Sequence, residues 1–133
     1  MCYFIFTVTN NTIGEDVIKR NEQNSLYVQD VTNLVEIKDK NLYHISNGHC
    51  ACDIAVSPHR LIENVKDVLK NTKEDFNFII IDSEYDDVEP LLEENKDFKN
   101  FLSKFELREI SFDEFIEKYP REIKFDTLYK IKR

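Results

Sequence analysis

The chain has 133 residues, of which 41% are hydrophobic and 12% aromatic, and a formal net charge of −8. That length suits one domain burying roughly two thirds of its unfolded surface in a single core, so global disorder and a need for disulfide staples are both excluded. The acidic balance opposes generic binding to nucleic-acid phosphates and to anionic membranes, because each depends on Lys and Arg.

No apolar run approaches the roughly 20 residues that cross a bilayer, and the N-terminus lacks the basic flank and cleavage site of a secretory signal. A cytoplasmic protein is expected. Its three cysteines are too few for a disulfide framework, which agrees with thiols in a reducing compartment.

The opening Cys2-Tyr-Phe-Ile-Phe-Thr-Val-Thr9 is aromatic and β-branched, and predicts a buried strand with Cys2, Phe4, Phe6 and Val8 on one face. Thr12 and Glu15 have capping-box spacing, which predicts a short helix to about Arg20. Residues 25–31, 33–38 and 41–46 have strand composition, with a polar hairpin Lys38-Asp-Lys-Asn41 between the last two, and suggest an antiparallel meander.

Ser57-Pro58 predicts a helix start, with Ser as N-cap and Pro at the first helical position. Leu61, Ile62, Val65, Val68 and Leu69 follow as an apolar stripe. Residues 76–81 are almost continuously apolar, as in an interior strand covered on both faces. Val88, Leu91, Leu92, Phe98, Phe101 and Leu102 predict a second amphipathic helix over residues 87–103, with Pro90 in its first turn.

A strand over residues 105–110 comes next, and the strand-helix-strand unit over residues 76–110 is long enough for a crossover joining parallel neighbours. Ser111-x-x-Glu114 is a capping box opening a helix that ends at Pro120, and Ile123, Phe125, Thr127, Tyr129 and Ile131 alternate along a last strand. No repeat or linker divides the chain. The expectation is a single α+β domain over residues 1–133, a mixed sheet of about five to seven strands carrying two main amphipathic helices.

The densest chemistry lies in Asn47-Gly-His-Cys-Ala-Cys-Asp53, where Gly48 suits a tight turn. If the strand before it pairs antiparallel with the first strand, this loop comes near Cys2. Cys2, His49, Cys50 and Cys52 would then supply three thiolates and one imidazole, the donors of a tetrahedral zinc site. The spacing fits less well, since chelate loops usually hold two or more residues between cysteines.

A second reading makes one thiol a nucleophile, with His44, His49 or His59 as base and Asp53 orienting it. Cys50 and Cys52 could also close a strained, easily reduced disulfide. The bland alternative is that the cysteines are small buried hydrophobes and that His44 and His59 are structural or surface histidines.

Met1-Cys2 together with Gly48-His49-Cys50-Ala51-Cys52 resembles a group of small bacterial proteins that open with Met-Cys and carry a Gly-x-Cys-x-Cys segment. The group commonly has Gly after the second cysteine, where this chain has Asp53. The resemblance draws attention to the cysteines without implying a reaction. Met1-Cys2 is also similar to the start of class II glutamine amidotransferases, whose N-terminal cysteine attacks an amide, but Tyr3-Phe4 replace their Gly-Ile.

Residues 82–97 hold eight acids against the single Lys96, a local net charge of −7. One reading is an acidic docking surface, centred on Glu84, Asp86, Asp87 and Glu89, for a basic protein partner, which it would bind or inhibit without catalysis. The other is a solvated helix start, where acids oppose the helix dipole favourably. No phosphate-binding glycine loop, nucleophile elbow or His-Glu-x-x-His motif occurs, so an enzyme of a familiar motif class is not expected.

Overall fold

The structure, a computed structural model, describes residues 2–48, 51–56 and 60–133, without the side chains of Asp53 and Val56. The chain folds as one α+β domain around a six-stranded mixed sheet of order β2-β3-β1-β4-β6-β5. The strands are β1 (Cys2–Thr9), β2 (Tyr27–Asp30), β3 (Asn41–Ser46), β4 (Phe76–Ser83), β5 (Glu106–Ser111) and β6 (Thr127–Lys132). Between them lie α1 (Glu15–Glu22), α2 (Cys52–Val56), α3 (Ile62–Lys70), α4 (Val88–Glu94), α5 (Phe98–Ser103) and α6 (Phe112–Lys118). No described helix is long and apolar enough to cross a membrane.

Alternation along the inner strands divides the core between two faces. Ile5, Tyr43, Ile45, Phe78, Ile80 and Ile131 lie under α1, α2, α3 and α6, whereas Phe4, Phe6, Val8, Leu42, Ile79 and Ile81 lie under α4 and α5. Covered on both sides, β1 and β4 hold the centre, as the apolar run of residues 76–81 predicts for β4. Each fully buried Phe among them contributes about 1.5–3 kcal/mol by leaving water.

The expected pairing of β1 with β3 is present and antiparallel, Ile5 facing Ile45 and Phe6 facing His44. The helical stripe Leu61, Ile62, Val65, Val68 and Leu69 is buried throughout, in α3, which starts at Ile62 with Leu61 at its cap. The Ser57-Pro58 start and His59 lie outside the described residues. Ser111 caps α6 as its motif predicts, its side-chain oxygen accepting from the Glu114 amide.

Four expectations are corrected. Residues 33–38 form no strand: after β2 the Asp30 carboxylate accepts from the Thr32 amide and hydroxyl, and the chain turns through a 3-10 segment at Thr32–Leu34. Local side-chain capping there outweighs β-propensity. Glu36 instead makes an isolated parallel bridge to Asp97.

The single helix expected over residues 87–103 is two. Asn95 turns its amide back to the Leu91 carbonyl, Asp97 recaps the chain by accepting from the Asn100 amide, and the Lys96 carbonyl, exposed at the break, accepts from the Glu36 amide.

The crossover does not place β4 and β5 side by side, because β6 inserts between them, antiparallel to β4 and parallel to β5. β6 carries buried Thr127, Tyr129 and Ile131, while most of β5 is exposed, so burial gives β6 the inner position. Finally, α1 opens at Gly14 without a side-chain cap. Ile13 is buried and donates its amide to the Tyr43 hydroxyl, which moves the start of the helix past Thr12.

Candidate functional site

Because β1 runs antiparallel to both neighbours, its start meets the ends of β3 and β4. Cys2 faces Ser83, and Tyr3 faces Asp82. The loop leaving β3 closes on the same end: the Ala51 amide donates to the Tyr3 carbonyl at 3.1 Å. The Gly48 amide donates to the Ser46 hydroxyl. Gly48 has φ 106°, and a Cβ there would stand 3.1 Å from the Tyr27 ring, so the tight turn requires glycine. One end of the sheet therefore gathers Cys2, Gly48, Ala51 and the start of the acidic segment.

Of the four zinc ligands expected, His49 and Cys50 lie outside the described residues. Cys2 and Cys52 are both half-buried, but they approach this end from different sides. Cys2 packs with the layer under α4 and α5, whereas Ala51 and the α2 residues Ile54 and Ala55 pack into the opposite layer. The Tyr119 hydroxyl, donating to the Ile54 carbonyl at 2.5 Å, holds α2 there. Among the described residues, no group of three or more His, Cys, Asp or Glu side chains could hold a metal ion.

His44 does not serve Cys2 as a base. It faces Phe6, four residues along β1 from Cys2, about 13 Å at the rise of a strand. It shares that face with Phe4 and Phe6, with ring centroids 5.9 and 5.5 Å away. It is 5% exposed, and its Nε2 has no hydrogen-bond partner among the described residues. Burial drives its pKa down to about 4, against a smaller upward pull from Asp87. His44 is thus a neutral core histidine at neutral pH. His59, and the side chain of Asp53 as its orienting acid, lie outside what is described.

The acidic segment begins at the same end and runs along α4 to Asp97, which bridges Glu36. Glu84, Asp86, Asp87 and Glu89 are exposed, as are Asp82, Glu93, Glu94 and Asp97. Some of these groups have local duties. Asp87 accepts from the Val88 amide at 2.7 Å, Asp97 caps α5, and Glu94 accepts from the Tyr85 hydroxyl. None forms an ion pair among the described residues.

A further carboxylate went unnoticed in the sequence. Exposed Asp126, at φ 53°, accepts from the Asp82 amide at 3.2 Å. It lies more than forty residues away along the chain, and only the β4 and β6 pairing brings it here. Comparison with protein-family models, with curated proteins and with solved structures finds no match.

Proposed function

We propose that the protein is a non-enzymatic binding protein that docks a basic surface of another protein on the acidic end of its sheet. The observation that carries this is the segment from Asp82 to Asp97. All eight of its acids are exposed, and none is neutralised by an ion pair among the described residues. Unpaired charge of one sign held on rigid elements steers association and selects an oppositely charged partner. Folding uses only part of it: Asp87 and Asp97 cap helices and Glu89 lies in the first turn of α4, whereas Glu84, Asp86 and Glu93 have no such duty.

The test is affinity capture from the source cell with the wild-type chain, with Glu84→Lys/Asp86→Lys/Glu93→Lys, and with a matched reversal elsewhere, Glu106→Lys/Glu109→Lys/Glu117→Lys. A basic protein retained by wild type and by the matched control, but lost from the first variant, is the expected result. Identical retention by all three would overturn the reading.

A second reading rests on the Ala51–Tyr3 hydrogen bond, which sets Ala51 beside the residue that follows Cys2, although Cys2 and α2 pack into opposite layers. On this reading Cys2, His49, Cys50 and Cys52 hold zinc. Elemental analysis of chain purified under reducing, chelator-free conditions should then give one metal per chain, with the thiols masked until denaturation. Absence of metal with normally reacting thiols would sink it.

A further inference from the structure

At the opposite end of the sheet a groove of about 620 Å³ lies between α5 and the strap that joins the 3-10 segment to β3. The α5 wall is only six residues long. The strap is pinned on its far side by the Glu36 and Asp97 bridge. The floor is apolar: Val8 and Leu102 are 6% and 8% exposed, and Ile37 and Leu128 are half-buried. Beyond Leu128 the uncovered sheet continues to Leu107, its partner in β5, which is 59% exposed.

Lysines form the rim. Lys38, Lys40 and Lys99 line the groove with the acid Asp39, while Glu36 and Asp97 adjoin Lys38 and Lys99 across the strap. Lys40 donates to the Asn10 side chain, while Lys38 and Lys99 have no hydrogen-bond or ion-pair partner among the described residues. A chain of net charge −8 thus places unpaired cations around an apolar trough. Such a lining is complementary to a molecule with an apolar body and one anionic head, in a volume usual for small-ligand sites. An apolar chain without the head would leave the lysines unanswered, and a bare anion would leave the floor wet.

We infer that this groove binds a long-chain carboxylate, with its tail along Val8, Leu102 and Leu128 and its head between Lys38 and Lys99. This site adjoins only the last acid of the acidic segment, Asp97, and neither proposal depends on the other.

The probe is dodecanoate, titrated calorimetrically into the full chain below the concentration at which it forms micelles, with amide chemical shifts followed in parallel. Saturable binding is expected, with shifts concentrated at Val8, Ile37, Leu102 and Leu128. Lys38→Glu/Lys99→Glu should weaken it about tenfold or more, as should replacing the acid by dodecanol. The exposed lysines are remote from the core, so the variant keeps its fold, which its unshifted remaining amides will report. Absence of saturable binding, equal affinity for dodecanol, or an unchanged affinity in the double variant would each overturn the assignment.

Discussion

The two ends of β4 contrast. At Phe76 the strand leaves a groove with an apolar floor and unpaired lysines, and at Ser83 it enters a cap of exposed carboxylates with no apolar floor among them. Between these ends lies the same core on both faces. A central strand demands apolar residues only along its buried length, so its ends are free to carry opposite charge. The difference teaches that the ends would select different partners. A purely ionic surface weakens steeply with salt, whereas a lysine-rimmed apolar trough keeps the part of its affinity that comes from displaced water.

The sharpest way to break the contrast is to remove the wall between the two regions. Phe98 is fully buried against Phe6, with ring centroids 5.5 Å apart, and it anchors α5. Phe98→Ala should cost about 3–5 kcal/mol in urea unfolding, and should abolish dodecanoate binding before it alters the acidic surface.

His44 gives a smaller and pH-dependent effect. Its folded pKa of about 4 lies below the unfolded value near 6.5, so between these values the unfolded chain binds the proton and the folded chain does not. Stability attributable to His44 is therefore complete above about pH 6.5 and declines as the pH falls, by at most roughly 3 kcal/mol near pH 4. His44→Leu should flatten that part of the pH profile in thermal or urea unfolding. A profile equally steep in the variant would show that acid lability arises elsewhere, in the repulsive or protonating carboxylates.

The smallest effect sharpens the functional side of the comparison. Among the acids of that surface, Asp86→Lys, at an exposed position without an ion pair among the described residues, should change unfolding free energy by no more than about 0.5 kcal/mol. A loss several times larger would mean that this acid serves the fold and not a partner.

What could be foreseen depended on how local the determinant was. β1 and β4 announce themselves by composition, α3 by its stripe, and the start of α6 by Ser111 and Glu114, because each signal lies within one element. The break between α4 and α5 escaped notice because the apolar spacing continues across it. It needs the Glu36 amide, some sixty residues away, at the Lys96 carbonyl. The place of β6 depends on competition between two strands for one inner position.

The same division applies to the sites. Eight acids in sixteen residues are visible as a run, and their exposure follows from their chemistry. Asp126 and the lysine groove are invisible in one dimension. Lys38, Lys40 and Lys99 come from a strap and a helix, while their apolar floor comes from β1, α5 and β6.

The outer strand β5 has a consequence for life at high concentration. With β6 on one side only, it presents a free row of backbone donors and acceptors next to exposed Leu107, a template onto which another extended chain could stack. Glu106, Arg108 and Glu109 stand along that row. Burying these charges between stacked sheets would be costly, so the edge that burial assigned to the most polar strand is also the molecule's guard against fibre growth.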